Sequence, residues 1–67
     1  MLRLKRERVL SDLSQAALAR EAGLNPNTIS ATELGRHRPY PKQLAAMAEA
    51  LGWKGDPEAL LEEVPQL

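Results

Sequence analysis

The sequence has no cysteine and a single histidine, His37, among its 67 residues. Without cysteine, neither a disulfide framework nor a zinc–thiolate site can supplement the core, and one histidine forms no cluster of metal ligands. There is also no paired histidine and carboxylate and no glycine-rich phosphate loop that could carry covalent, metal or phosphoryl chemistry. We therefore expect no enzymatic activity, no metal and no cofactor.

Long apolar runs are also absent. No segment approaches the roughly 20 apolar residues that cross a bilayer, and the N-terminus has no apolar signal-peptide core. We therefore expect a cytoplasmic protein with no membrane partner. The length predicts one domain over residues 1–67, near the size at which a single hydrophobic core is only just sufficient.

The chain has no net charge, because nine Lys or Arg residues balance nine Asp or Glu residues. The two signs are nevertheless separated along the chain. Residues 1–42 hold eight basic and four acidic side chains, a net charge of +4, and residues 43–67 hold one basic and five acidic, a net charge of −4. The basic part can neutralise nucleic-acid phosphates while the acidic part stays away from them.

The most informative stretch is residues 14–35, SQAALAREAGLNPNTISATELG, which has the pattern of two short helices joined by a tight turn. Ser14 is a favourable N-cap, and Gly23 can end the first helix in the left-handed conformation. Asn25 and Pro26 repeat the starting signals for the second helix, and Gly35 closes it. Helices joined so tightly must cross steeply. The apolar seam between them is predicted to contain Leu18, Ala19, Ala22, Leu24 and Ile29.

The second of these helices has a face of short side chains. At about 100° per residue, an inward Ile29 places Asn27 and Ala31 on the opposite side, with Thr28 and Ser30 on the flanks. Such a face can lie in the major groove of DNA, where amides pair with adenine and small apolar groups contact thymine methyls. We therefore predict that these four residues read base pairs.

These residues carry a resemblance to the lambda-repressor/Cro-like helix-turn-helix family of XRE type. It covers roughly residues 2–61 and rests on the run LSQAALAREAGLNPNTISATELGRHRP, with Arg8 upstream and LAAMAEALG downstream. The residues that recur at the family's spacing are Gln15, Leu18, Ala19, Gly23, Ile29, Ser30, Glu33, Gly35, Pro39 and Leu44. The resemblance implies an all-α domain of five helices, with the helix-turn-helix at about residues 14–35, that binds double-stranded DNA.

The resemblance also implies roles outside the reading face. Arg8 and Glu33 match an ion pair between the first and third helices; two unpaired surface charges are the alternative. Gln15 resembles a phosphate-contacting glutamine, and an exposed side chain without a partner is the alternative. Further phosphate contacts are expected after the recognition helix, where an ordinary solvated turn is the alternative and Tyr40 could instead pack on the loop. The residues expected to make them are Arg36, Arg38, Tyr40 and Lys42.

Three positions depart from the family's pattern. Asp12 stands where relatives usually have glycine, and we expect a left-handed backbone there, which Asp tolerates better than most residues. Ala17 replaces the acidic residue that would complete a capping box with Ser14. Thr32 occupies a position that is more often apolar, so we expect the recognition helix to be held slightly less firmly.

The C-terminal part predicts two further helices. The first begins at Pro41 and has an apolar stripe at helical spacing before Gly52 ends it. The second begins at Asp56 and Pro57, an N-cap followed by a first-turn proline. The apolar residues near this end exceed what one short helix needs for docking. These residues could form a dimer contact or close the monomer's own core, and both interpretations stay open. They are Trp53, Leu60, Leu61 and Val64.

Two functions fit this pattern. The first is a transcriptional regulator of the repressor class that occupies a pseudo-palindromic operator as a homodimer, formed either in free solution or only on DNA. The second is an antitoxin or adaptor that uses the same fold to bind a protein. An adaptor is expected to expose a larger apolar patch, and Leu34 is the only large apolar residue near the reading face. The sequence therefore favours DNA as the partner.

Overall fold

The computed structural model describes residues 1–67 and contains four α-helices followed by a short 3₁₀ helix. The α-helices are α1 (Arg3–Leu10), α2 (Gln15–Ala22), α3 (Pro26–Glu33) and α4 (Pro41–Leu51), and the 3₁₀ helix spans Pro57–Leu61. Helix α2 packs against both α3 and α4, and the 3₁₀ helix packs against both α1 and α4. The prediction of an all-α fold is confirmed.

Capping residues set the ends of α2 and α3. Ser14 Oγ accepts a hydrogen bond from the backbone N–H of the third residue of α2 at 3.0 Å, and Asn25 Oδ1 accepts one from the second residue of α3 at 2.8 Å. At the end of α2, Gly23 has φ = 71°, and the N–H of Leu24 donates to the carbonyl of Ala19 at 2.8 Å. This last bond is that of a Schellman motif. The turn between the two helices is therefore short, and the N–H groups of Gly23 and Leu24 both donate to carbonyls of α2.

The turn after α1 depends on Asp12, which is the only residue other than glycine with a positive φ, 59°. The expected left-handed backbone at this position is confirmed. The reversal lets the N–H of Leu13 donate back to the carbonyl of Arg8 at 3.1 Å. The chain thus turns within a few residues from α1 into α2.

All five helices contribute to one core of eight buried apolar side chains. These are Leu4, Leu18, Ala19, Ile29, Leu44, Met47, Ala48 and Leu60. Thr32 is also buried, and its hydroxyl donates to the carbonyl of Thr28 at 2.7 Å. That bond satisfies the hydroxyl inside the core, so α3 accommodates a threonine at a position that is more often apolar in relatives.

The two ends of the chain are joined through their backbones. The N–H of Arg3 donates to the carbonyl of Glu62, and the N–H of Val64 donates to the carbonyl of Met1, each at 2.8 Å. These bonds form an isolated antiparallel bridge. The backbone must therefore become extended directly after Leu61, the last residue of the 3₁₀ helix.

The prediction of five α-helices is wrong in its last element, which is a 3₁₀ helix of five residues. Asp56 caps it by accepting from the N–H of Glu58 at 2.9 Å, and the terminal bridge begins at Glu62. So short a segment gains little from i→i+4 bonds, and 3₁₀ geometry suits short pieces.

The four residues that could serve either the core or a dimer contact differ in their burial. Leu60 is 0% exposed and lies in the core of the monomer, so it is not available to a second chain. For Leu60, the structure therefore favours the second of the two open interpretations, closure of the monomer's own core. Trp53, Leu61 and Val64 are half-buried, and the first two pack against the core. The indole N–H of Trp53 also donates to the carbonyl of Asp56 at 3.0 Å.

We predict that Leu60→Ala destabilises the domain by about 2–5 kcal/mol, because it removes a fully buried side chain and leaves a cavity. Leu67→Ala is the matched control, since Leu67 is 62% exposed and such surface changes usually stay within about 0.5 kcal/mol. Urea unfolding followed by circular dichroism measures both. Equal unfolding midpoints for the two variants would contradict the assignment of Leu60 to the core.

Candidate nucleic-acid interface

One nearly buried carboxylate lies at the centre of the site. It belongs to Glu33, the last residue of α3, whose side chain is 3% exposed. Arg8 on α1 donates to it twice, from Nε to Oε2 at 2.6 Å and from Nη2 to Oε1 at 3.1 Å. Gln15, the first residue of α2, donates from Nε2 to Oε1 at 2.9 Å. The Glu33 carboxylate therefore joins α1, α2 and α3.

The guanidinium of Arg8 is satisfied on both sides. Besides its two bonds to Glu33, its Nη1 donates to the carbonyl of Leu13 at 2.8 Å. A bidentate arginine–carboxylate pair has a fixed geometry, and additional hydrogen bonds make the burial of such charges tolerable. The structure thus brings Arg8 and Glu33 together and attaches the α1–α2 turn to the same pair.

The Gln15 side chain is not free, as a residue waiting for a phosphate was expected to be. It is half-buried and its amide nitrogen is engaged by Glu33. This bond was not predicted from the sequence. No local pattern indicates it, because the two residues are 18 positions apart and meet only through the packing of α2 on α3.

The four predicted base-reading residues lie on the outer side of α3. Asn27 is exposed, and Thr28, Ser30 and Ala31 are half-buried, whereas Ile29 on the opposite side is 0% exposed. None of the three polar side chains makes a hydrogen bond within the chain, and the bonds of these residues use their backbone groups alone. Their amide and hydroxyl groups are therefore free to bind a partner.

The basic residues that follow α3 in the chain differ in whether they form an ion pair. Arg36 and Lys42 are exposed and take part in no ion pair. Arg38 instead contacts Glu58 through an Nη2–Oε1 distance of 2.8 Å, with the two side chains 73% and 54% exposed. Exposed pairs of this kind contribute about 0–1 kcal/mol, so this contact is easily exchanged for another anion.

Local contacts order the loop between α3 and α4. Gln43 Oε1 accepts from the backbone N–H of Tyr40 at 2.9 Å and lies 3.4 Å from Nε2 of His37. The rings of His37 and Tyr40 meet edge to face with centroids 6.3 Å apart. Tyr40 itself remains 68% exposed. The role of Gln43 was missed, although glutamine at the third helical position is a known capping signal.

The comparisons with known proteins agree with this geometry. A family model described as a helix-turn-helix domain matches residues 2–61. The protein belongs to this family, and the resemblance drawn from its sequence is confirmed. Neither the curated proteins nor the solved structures contained a match to the chain. None of its helices has both the length and the apolar character needed to cross a bilayer.

We predict strong coupling between Arg8 and Glu33 in a double-mutant cycle of Arg8→Ala, Glu33→Ala and the double variant. Removing one partner leaves the other charge nearly buried and unpaired, which destabilises by about 3–5 kcal/mol. Removing both relieves that penalty, so the double variant should be more stable than the sum of the two losses implies. Urea unfolding of the four proteins measures the coupling energy.

The pair Arg38 and Glu58 provides the matched control, because it joins the same residue types at the surface. Its coupling should be about 0–1 kcal/mol. A coupling at Arg8 and Glu33 no larger than this value would show that the buried carboxylate does not hold the three helices together.

Proposed function

We propose that the protein binds double-stranded DNA sequence-specifically through α3 and acts as a transcriptional regulator of the repressor class that occupies an operator. The observation that supports this most is the outer face of α3. Its polar side chains have no partner within the chain, while its far end is fastened to α1 and α2 through Glu33. A reader of base edges needs both properties, free side chains and a fixed helix.

The size of α3 suits the major groove. An α-helix with its side chains is about 10–12 Å in diameter, which fits the groove's width of about 12 Å, and the outward side chains of α3 are short. In helix-turn-helix proteins the N-terminal residues of this helix contact base edges. Asn27 and Thr28 lie in the N-terminal half of α3, and Ser30 and Ala31 follow on the same outer side. These four are the residues that we assign to base reading.

Phosphate contacts are assigned to the basic residues around the helix. Arg36 and Lys42 are unpaired and available, and Arg38 can exchange the exposed carboxylate of Glu58 for a phosphate. Tyr40 offers an exposed hydroxyl on the same loop. We assign Gln15 a contact through the second hydrogen of its amide, since the first is directed at Glu33.

The alternative, an antitoxin or adaptor that binds a protein, has less support. Such a module needs a sizeable exposed apolar patch. The large apolar side chains that the structure leaves exposed are Val9, Leu10, Leu34, Tyr40 and Leu67. None of them lies on α3, whose outer face is polar and small. A groove reader therefore fits this surface better.

We further propose that two copies bind one operator. A single α3 presents only four short reading side chains, too few for a long and unique site. A two-fold axis doubles these contacts and requires a pseudo-palindromic operator with half-sites about 34–36 Å apart. With Leu60 in the core, the loop after α3 and the half-buried Trp53, Leu61 and Val64 remain as contact regions. Acidic residues surround Trp53, Leu61 and Val64, and such a region suits an outer surface better than an interface. The loop after α3 is therefore the better candidate for the contact between the two copies.

We predict that Asn27→Ala and Lys42→Ala weaken DNA binding in different ways. Asn27→Ala should lose about 1–3 kcal/mol at the preferred site and relax one base position. Lys42→Ala should weaken all duplexes alike and reduce the salt slope by about one. Fluorescence anisotropy at several salt concentrations, with the preferred site and a scrambled duplex, measures both effects.

Lys54→Ala is the control for the loss of one positive charge, because Lys54 is exposed but belongs to the acidic part of the chain. It should leave both the affinity and the salt slope close to those of the wild type. If Asn27→Ala kept the full preference for the site, α3 would not be the reading element.

We predict a stoichiometry of two chains per operator. Sedimentation of the free protein and of its complex with the selected site measures the mass of each. A complex heavier than the DNA by two chains, on a site with an inverted repeat, is the expected result. One chain on a site without a repeat would overturn the dimer and leave DNA binding itself in place.

A further inference from the structure

The reading part of α3 is uncharged. Residues 26–31 supply one amide at Asn27, hydroxyls at Thr28 and Ser30, and apolar groups at Pro26 and Ala31, and the first charged residue of the helix is Glu33. These side chains discriminate unequally among base pairs. Amides pair with adenine, and methyl groups contact the thymine methyl, whereas guanine is most often read by arginine or lysine and cytosine by a carboxylate.

The arginine and lysine side chains near α3, which could read guanine, belong to other segments of the chain. Arg8 is committed to Glu33 and Leu13. Arg38 points toward Glu58. Arg36 follows the C-terminus of α3, where its N–H donates to the carbonyl of Ala31 at 2.9 Å. Neither Arg36 nor Lys42, the second residue of α4, lies on α3, and both are assigned to phosphates.

Carboxylates are likewise absent from the face. The Glu33 side chain is 3% exposed and already accepts three hydrogen bonds from Arg8 and Gln15, so a cytosine amine cannot reach it. Thr28 and Ser30 tolerate several bases, because hydroxyls both donate and accept. Asn27 is then the one side chain with a bidentate preference, and its amide has no partner in the chain.

We propose that each half-site of the operator carries A·T pairs at the positions α3 reads, with an adenine opposite Asn27 and a thymine methyl against Ala31. This inference rests on the proposed function and makes it more specific. Any G·C pairs in the operator then lie outside the directly read positions, where phosphate contacts and DNA shape act.

The first test is a selection of binding sites from random duplexes with the wild-type protein, followed by single-position analogues in the selected site. Replacing the contacted adenine by 7-deazaadenine removes the N7 acceptor, and replacing thymine by deoxyuridine removes the methyl group. Each change should weaken binding about fivefold or more at one position per half-site. Replacing guanines by 7-deazaguanine should change binding less than twofold.

The outcomes separate the two levels of the proposal. Strong sensitivity to 7-deazaguanine at an essential position, with insensitivity at every adenine, would overturn the A·T readout while sequence-specific binding stands. A selection that enriches no sequence would overturn the proposed function itself, and the A·T readout with it.

The second test is Asn27→Arg, which places a guanine-reading side chain on the same exposed position without disturbing the cap, whose bond uses the backbone of Asn27. Selection with this variant should replace adenine by guanine at one position per half-site. Gln66→Arg adds the same charge at an exposed position in the acidic part and should select the wild-type site. An unchanged adenine with Asn27→Arg would show that Asn27 does not read that base.

Discussion

The burial of one carboxylate constrains the placement of the recognition helix. The Glu33 side chain is 3% exposed, and a carboxylate so far from water requires hydrogen-bond donors. The structure supplies three bonds, two from Arg8 and one from Gln15. Because these donors sit on different helices, the position of each helix is tied to that of α3. The outer face of α3 can consequently stay free of internal bonds and still be held in place, which is the condition that a fixed reading surface requires.

Acidic residues of the C-terminal segment pair with some of the basic residues and leave others unpaired. Arg3 lies 3.4 Å from Glu62 and 5.8 Å from the centroid of the Trp53 ring, while Arg38 contacts Glu58. Arg36 and Lys42 are left without partners beside α3. Salt limits the range over which exposed charges interact to about 10 Å at 0.1 M. A protein with no net charge can therefore still present a local positive surface. The overall sum is a poor guide to its partner.

Local signals account for what was predictable. Ser14 and Asn25 cap their helices through contacts two or three residues away, and Asp12 takes up the expected left-handed backbone. Such features depend on neighbouring residues and are readable from spacing. The last helix was predicted as α-helical because Asp56 and Pro57 are valid starting signals. The segment is only five residues long, because the chain becomes extended at Glu62 to form the bridge between the chain ends. That bridge joins residues about sixty positions apart, so no local pattern contains it.

The sequence by itself determined the helix-turn-helix, its helix starts and stops, and the face of α3 opposite Ile29, because capping and helical periodicity act over a few residues. The resemblance to relatives additionally indicated the pairing of Arg8 with Glu33. Only the tertiary structure decided that Gln15 donates to Glu33 and that Arg8 donates to the carbonyl of Leu13. It also decided that Arg38 is bonded to Glu58 and that Leu60 belongs to the monomer's core. These outcomes depend on how separate helices pack in three dimensions, since burial and long-range hydrogen bonds arise only when distant segments meet.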